Sequence, residues 1–486
     1  MYLFTKQADD LLVIFPPEER IRLGDTLFID GVVAQVVDVR FADVPGILEH
    51  ILRKSLIGET DTQQDVEPEL KNYLNQLTDQ KLAVAKIRGR IINTGEQEGS
   101  EVTFKTGLSE FNISRARADI RVLGQRQLFD ALKLPILTES DFCETLSSEP
   151  QPFTILAERL GINLVTGMKN SGKSYFSKRL LLKLIEKGVL TLVFDLNGEY
   201  LNLWKDESNS PNRYGSGHVI KIFTPKLSQA GANELPFRIP LSEIGFDDFA
   251  MLVNISPEQA MWQELMKFWS ARGRSQFDLA DLKKFVEGIN QEHIRGALLR
   301  RIETAEALRL FGPSDLISTV KSMQSSGGGA IIFNLSRVGT YERDKLVQYV
   351  FRTLVKLGQK REIKPISLFL EEAQLYVDRA EMVDILTRMR HLGLFPTFIT
   401  NDPRTLPDEV YTLLDNLIGF MFRNQDELRQ LARSGLVDYN SIDALRYLEQ
   451  GQCIAVGDIT SHYPLFLQIL HQKGVKMGGE TRRLIG

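Results

Sequence analysis

Two kinds of hydrophobic patterning divide the chain. Up to Phe104, apolar residues recur in short runs: Asp25–Asp30, Val32–Arg40, Leu82–Arg88 and Glu101–Phe104. Runs of this length with turn residues between them predict strands, and several in succession predict a small β-barrel. Glu59–Gln80 interrupts them with polar, acidic sequence of helical propensity, an excursion between strands. Residues 139–152 are polar, carry Pro150 and Pro152, and read as the approach to a second domain. From Gln151 onward, runs that are almost wholly apolar alternate with amphipathic stretches. Val189–Phe194, Ala330–Leu335, Ile366–Leu370 and Pro396–Thr400 are such runs, predicting buried strands of a mostly parallel sheet. Leu241–Met323 has helical spacing throughout, for example Glu258–Phe268 and Phe277–Glu287, and predicts a helical insertion. Cys453–Val456 and Pro464–Leu470 predict the last strands. The expected division is therefore 1–138, 151–240, 241–325, 326–470 and a polar tail, 471–486.

One segment adds chemistry to this α/β pattern. Gly167-Met168-Lys169-Asn170-Ser171-Gly172-Lys173-Ser174 fills the phosphate-loop pattern GxxxxGK[ST] at every fixed position. A short strand, Gly161–Thr166, precedes it. A helix follows over Lys173–Lys187, with Phe176, Leu180, Leu181, Leu184 and Ile185 on its apolar face and Gly188 as a left-handed cap. Strand, glycine loop and helix aim backbone amides and a helix N-terminus at one anion. Lys173 would reach the β- and γ-phosphates, Ser174 would place its hydroxyl on Mg²⁺, and Tyr175 continues the loop's contact surface. The cofactors this implies are ATP and Mg²⁺.

A phosphate loop needs carboxylates at the end of a neighbouring buried strand. Leu368-Phe-Leu-Glu-Glu372 supplies two: Glu371 for the metal, partly through water, and Glu372 to orient or deprotonate the attacking water. Asp195 and Glu199 follow another strand and point to the same crevice, although Asn197-Gly198 also reads as a plain turn. Asn401 ends the next strand as a candidate γ-phosphate sensor, with Thr400 as its rival. Arg388 and Arg390 lie on the helix before that strand. Such arginines either complete a neighbouring subunit's site or simply end a helix favourably.

Composition narrows the partners only by exclusion. Lys and Arg number 59 against 63 Asp and Glu, a net charge of −4, so there is no global basic signal, although a pore lined by a few cations would not shift the total. The two cysteines, Cys143 and Cys453, lie far apart, which excludes a CxxC metal motif and a disulfide framework and fits a reducing compartment. No apolar run reaches the length of a membrane span and no secretory leader is visible, so a cytoplasmic protein away from membranes is expected.

Taken together, the motifs resemble the HerA family within the HerA–FtsK group of translocating ATPases. Asp195-Leu-Asn-Gly-Glu-Tyr200 is similar to the family's Asp-Pro-x-Gly-Glu-Tyr signature, with Leu196 in place of proline. Glu371-Glu-Ala-Gln374 stands where the family has Asp-Glu-Ala-His, and Asn401 where glutamine is common. Arg388-Met-Arg390 through Gly393 resembles the arginine-bearing helix. Asp402–Pro407 with Asp415–Ile418 resembles the final strand-end segment. The resemblance implies a RecA-like core with the helical insertion, preceded by an N-terminal β-barrel. It further implies a homo-oligomer, a hexameric ring that moves duplex DNA, with a nuclease or other effector docked on the barrel, in DNA end processing or defence against phages. Lys173, Glu372 and one of the two arginines would carry hydrolysis. A nucleotide-switched ring that assembles an effector enzyme without much translocation is the alternative, since both need the same ATP site.

Overall fold

The wholly apolar runs become the strands of a parallel sheet, and the short alternating runs become a separate antiparallel one. The computed structural model describes residues 1–16, 18–41, 81–93, 102–106, 113, 118–217, 219–225, 227, 231, 233–241, 244–272, 277–375 and 386–477. The helical excursion at Glu59–Gln80, Glu101 at the head of one expected strand, and the end of the polar tail, 478–486, lie outside the described residues. Two compact units result: Met1–Ile155 with Leu417–His471, and Leu156–Asn416 with Gln472–Gly486.

In the first unit, β1 (Tyr2–Gln7), β2 (Asp10–Phe15), β3 (Thr26–Ile29), β4 (Val32–Phe41), β5 (Lys81–Asn93), β6 (Val102–Thr106) and β7 (Ile120–Leu123) form one antiparallel sheet. Its order is β1-β2-β5-β4-β3-β7, with β6 also on β5. The described strands leave β1 and β7 as its two ends, so this is a curled half-barrel. Register shifts at Val33/Ala34 and Val36/Asp38 in the β4–β5 ladder bend these two longest strands. The curl encloses Leu11, Val13, Phe15, Leu27, Ile29, Ala34, Val36, Ala83 and Ala85. After α1 (Gln125–Ala131) come β8 (Cys143–Thr145) and β9 (Pro152–Phe153).

The second unit contains β10 (Asn163–Thr166), α2 (Lys173–Glu186), β11 (Leu190–Asp195), β12 (Ile220–Thr224) and β13 (Glu234–Pro236). Next comes the helical insertion: α3 (Phe246–Leu252), α4 (Ala260–Arg272), α5 (Leu279–Glu287), α6 (Glu292–Ala307) and α7 (Leu316–Ser325). Then follow β14 (Gly329–Asn334), α8 (Thr340–Gln359), β15 (Ile366–Glu371), β16 (Leu394–Thr400) and α9 (Asp408–Leu413). The strands lie in the order β13-β12-β14-β11-β15-β16-β10, with parallel pairing between neighbours. β11, β14 and β15 are buried at every position, as strands covered on both faces must be. Phe194 stacks on Phe333 at 5.1 Å and on Phe351 at 5.2 Å, locking β11, β14 and α8 together. The insertion has its own aromatic core, with Phe249 against Trp269 at 5.0 Å and Phe268 against Phe285 at 5.1 Å.

Leu417–His471 belongs to the first unit. It carries β17 (Asn416–Phe420), α10 (Gln425–Ala432), α11 (Tyr439–Asp443), β18 (Gln452–Gly457) and β19 (Leu465–Ile469), and β19 pairs antiparallel with β8. Within that unit the half-barrel and this segment share polar anchors. Arg88 of β5 reaches Asp438 Oδ2 at 2.5 Å and Gln35 Oε1 at 2.9 Å, and also bonds Ser441 Oγ. Thr26 Oγ1 meets the Tyr463 hydroxyl at 2.8 Å, and Gln35 Nε2 donates to the Pro464 carbonyl at 2.6 Å. Both cysteines are buried as free thiols.

Burial alone would raise Asp438, but the Arg88 charge and the bonds from Arg88 and Ser441 hold its carboxyl below the usual range. A depressed carboxyl stabilises the fold above the pKa of the unfolded chain, near 3.9, and loses that contribution as pH falls through the folded value. Asp438→Asn is therefore expected to destabilise the first unit by about 2–4 kcal/mol at pH 7, because the half-buried Arg88 is left without its counter-charge. Urea unfolding at pH 7 and below pH 4 checks this: the gap between variant and parent should close on the acid side.

Candidate functional site

Parallel pairing brings every relevant strand end to one edge of the sheet. Thr166 at the end of β10 is in register with Thr400 of β16, Glu371 of β15 with Ile399, and Asp195 of β11 with Asn334. The Thr166 hydroxyl donates to the Thr400 carbonyl at 3.0 Å and so ties the entry of the glycine loop to the end of β16. The crevice beyond the carboxyl ends of such strands is where ligands of open α/β sheets bind.

The loop itself runs Gly167–Ser174. Gly172 has φ +117° at the N-cap of α2, a conformation that L side chains rarely adopt, which explains glycine at that position. Gly188, at φ +73°, closes α2 as its sequence position predicts. Lys173 is buried, and its ammonium folds back to the Met168 carbonyl at 2.8 Å. Burial lowers the Lys173 pKa to about 8, against the opposing pull of Glu372, Glu199 and Glu371, so all three carboxylates lie within electrostatic reach of the lysine. Lys169 and Asn170 are exposed at the loop tip, Met168 is half-buried, and the buried Ser171 hydroxyl has no hydrogen-bond partner among the described residues. Ser174 and Tyr175 are half-buried on the first turn of α2.

Glu371 ends β15 and is buried. Its carboxyl is raised well above the usual range by burial first, then by the charges of Asp195 and Glu199. Its Oε2 has no hydrogen-bond partner among the described residues. Glu372, the next residue, has left-handed backbone at φ +47°. Its Oε1 accepts from Asn401 Nδ2 at 2.5 Å and from the Asn401 amide at 3.2 Å. Its Oε2 accepts from Gln374 Nε2 at 2.7 Å and from the Thr400 hydroxyl at 3.0 Å. Asn401 and its rival Thr400 thus converge on the same carboxylate.

Asp195 and Glu199 play distinct parts. The buried Asp195 accepts the amides of Glu199 and Tyr200, both at 2.9 Å, so its carboxylate builds the turn that follows β11. Burial raises its pKa in spite of those bonds. Glu199 is half-buried and pairs with Lys178 of α2 at 3.3 Å. Lys178 was not singled out by sequence, and neither was Tyr200, whose ring lies 5.8 Å from the Lys178 ammonium. Lys178 also donates to the Met477 carbonyl at 3.0 Å, and the Tyr175 hydroxyl accepts the Gln472 amide at 2.5 Å. The described end of the tail is thereby strapped along the phosphate-loop helix. The amphipathic period of α2 could have flagged Lys178, since a lysine one turn beyond Ser174 falls on the same face.

The arginines sit elsewhere. Arg390 begins a 3₁₀ turn, Arg390–Leu392, that leads into β16, and it pairs with Asp415. Asp415 also accepts the Ile162 amide at 2.7 Å, just before β10. Arg390 therefore lies at the amino edge of the sheet, about 20 Å of strand from the loop edge at the rise of an extended chain. Arg388 lies on the exposed side of the helical turn at 386–389. At the amino edge, Arg390 lies away from Lys173 and the carboxylates of its own chain.

Asp195, Glu199, Glu371 and Glu372 gather around Lys173 and Lys178, an excess of acid, and Glu371 Oε2 and Ser171 Oγ remain buried and unpaired among the described residues. Among the described residues no three carboxylate, histidine or cysteine side chains converge as a metal site of their own, so a divalent cation would be held here only together with a polyphosphate. Among the described residues, no helix is long and apolar enough to cross a membrane.

Residues 155–354 match a family model described as the central domain of helicase HerA. No curated protein matches the chain in sequence. Among solved structures, VirB4 of Thermoanaerobacter pseudethanolicus is 14% identical with a TM-score of 0.45, covering 69% of this chain and 98% of its own. The bacterial conjugative coupling protein TrwB is 14% identical with a TM-score of 0.45, covering 74% and 94%. The genome packaging NTPase B204 from Sulfolobus turreted icosahedral virus 2 is 15% identical with a TM-score of 0.31, covering 65% and 98%. The matched stretch, 155–354, contains the phosphate loop, β11, β14 and the helical insertion, and is what ties this chain to the central domain of helicase HerA as a similarity.

Proposed function

We propose that this chain hydrolyses ATP to drive duplex DNA through a homo-oligomeric ring, a hexamer, in concert with a nuclease or other effector held on the N-terminal half-barrel. The observation that carries the hydrolytic part is the pair Glu371–Glu372 at the end of β15, within electrostatic reach of the phosphate-loop Lys173. A nucleoside kinase needs no second carboxylate committed to water. Translocation is supported by the match of residues 155–354 to the central domain of a helicase.

The residues take the following parts. Backbone amides of Gly167–Ser174 and the N-terminus of α2 bind the phosphates. Lys173 leaves the Met168 carbonyl for the β- and γ-phosphate oxygens. The Ser174 hydroxyl and Glu371 would hold Mg²⁺, which neutralises phosphate charge when bound. Glu372 orients a water whose oxygen bonds to the γ-phosphorus while the bond to the β,γ-bridging oxygen breaks. The water's proton passes to the carboxylate, and ADP and phosphate leave. Asp195 fixes the turn that presents Glu199. The distance of Arg390 from its own loop supports a role for Arg390 or Arg388 on a neighbour's nucleotide, where a guanidinium would stabilise charge on the transferred group. DNA held by phosphate contacts would bind without sequence preference and weaken with salt.

Lys173→Ala is expected to lower kcat/KM for ATP by roughly 10²-fold or more, since the phosphates lose their main cation. Glu372→Gln is expected to bind ATP within about threefold of the parent yet turn over 10²- to 10⁴-fold more slowly, roughly the contribution of a general base. Steady-state hydrolysis and nucleotide-binding titrations check both; a Glu372→Gln chain that hydrolyses at the parental rate removes the assignment. Duplex DNA is expected to raise the ATPase rate, less so as salt increases. A rate indifferent to DNA, with the effector present, would favour a nucleotide-switched scaffold over a motor. Particle mass measured with and without ATP reads the ring.

A further inference from the structure

Lys178 lies on α2 one turn beyond Ser174, and its side chain is only 3% exposed. A buried ammonium is tolerated where acceptors surround it. Two are in reach, and they come from different elements. Glu199 Oε2, on the turn after β11, is 3.3 Å away, and the Met477 carbonyl is 3.0 Å away. The Tyr200 ring lies 5.8 Å from the same ammonium.

The Met477 carbonyl belongs to a strap, residues 472–477, that spans the same two elements. At its start the Gln472 amide donates to the Tyr175 hydroxyl of α2 at 2.5 Å. Further along, the Lys476 amide donates to the Lys205 carbonyl at 2.8 Å, and the Lys476 ammonium to Asn209 Oδ1 at 2.7 Å. Lys205 and Asn209 sit on the segment that continues from Glu199 and Tyr200. Val475 and Met477 are buried, and Gly474, at φ +71°, supplies the left-handed residue between the anchors. Strap and ion pair thus bridge the phosphate-loop helix and the segment from Glu199 to Asn209 side by side.

We propose that Lys178 is a positioning residue that couples the strap 472–477 to the ATP site, so that a seated strap tightens ATP binding and bound ATP seats the strap. The proposal rests on the reading of Gly167–Ser174 as the ATP site.

Charge sets the sign of the coupling. Glu199 is one of three carboxylates whose charge is felt at Lys173, and each of them opposes an incoming polyphosphate. Paired with Lys178, Glu199 is compensated. When the strap lifts, Lys178 loses the Met477 carbonyl in a buried place, its pair with Glu199 loosens, and more of the Glu199 charge is left to repel phosphate. ATP therefore binds the strapped form better, and by linkage it holds the strap down by the same factor. Neither Lys178 nor the strap takes part in the chemical step, so the effect falls on binding and not on kcat.

Hydrogen exchange of the peptide spanning 472–477 reads the coupling directly. In the parent, a saturating non-hydrolysable ATP analogue with Mg²⁺ is expected to slow exchange there roughly 3- to 10-fold, the scale of one net hydrogen bond. Val475→Asp puts a charge where the strap is buried. It is expected to speed that exchange and to weaken binding of the analogue by a similar roughly 3- to 10-fold, with kcat for ATP within about twofold. Lys178→Met keeps the length of the side chain without its charge. Its strap should exchange fast whether or not the analogue is bound, and Lys178→Arg should restore most of the response. Loss of packing alone would speed exchange without removing its dependence on nucleotide. Exchange that the analogue leaves unchanged in the parent overturns the proposal. So does a Lys178→Met chain that still responds, or a Val475→Asp chain that frees the strap at unaltered affinity. A parent that binds no analogue in a titration on the same sample defeats the reading of the phosphate loop instead, which keeps the two failures apart.

Discussion

The second unit is organised by one constraint: charge that must be buried at the end of a sheet covered on both faces. Parallel strands such as β11, β14 and β15 have no solvent side, so their polar chemistry can only appear where they stop. There the chain places Lys173, buried and folded onto the Met168 carbonyl, among Glu199, Glu371 and Glu372. Burial weakens the hold of the lysine on its proton, while repulsion and burial make Glu371 reluctant to ionise. Each group is in an unfavourable environment for its ordinary charge, a cost that the proposed polyphosphate and its counter-ion would relieve. On the proposed function, binding would return the free energy that burial costs these groups.

Much of this edge was legible because its signals are local. The glycine loop, the strand before it and the helix after it lie within a few turns of chain, and the carboxylate pair is fused to an apolar run whose period is unambiguous. Gly188 could be assigned as a cap from its neighbours alone, and its φ of +73° follows. The helical insertion was readable for the same reason, since five described helices fall where strand patterning fails. What stayed hidden depends on partners distant in sequence. β12 and β13 are short, and only pairing with β14 and with each other makes them strands. β1 and β2 lie outside the expected runs: Tyr2–Gln7 mixes polar and apolar residues without clean alternation, whereas Asp10–Phe15 is an apolar run of ordinary strand length. The expected small barrel is a half-barrel among the described strands, a matter of closure that no alternation pattern encodes.

The same distinction separates the site residues. Glu371, Glu372 and Lys173 are neighbours in space because the topology of a parallel sheet makes them so. Asp195 was legible as a strand-end acid, but its commitment to the amides of Glu199 and Tyr200 was not, since an Asx-type turn and a ligand contact start from the same residue. Lys178 escaped notice because its partners, Glu199 and the Met477 carbonyl, lie on other elements of the unit. Its burial is nonetheless costly unless both are present, so the last described residues of the chain are tied to the state of the phosphate-loop helix.

Arg390 shows how far a sequence resemblance can carry a residue before geometry intervenes. Its guanidinium engages Asp415, and Asp415 in turn accepts the Ile162 amide at the start of β10. The room there is tight as well, because Gly161 faces the Asp415 carboxylate closely enough that a side chain at that position would collide with it. An arginine withdrawn to act on a neighbour's phosphate would leave Asp415 uncompensated at the base of the strand that feeds the glycine loop. Such a departure would carry that cost, because in the conformation seen Arg390 braces the amino edge of β10 against the segment that precedes β16.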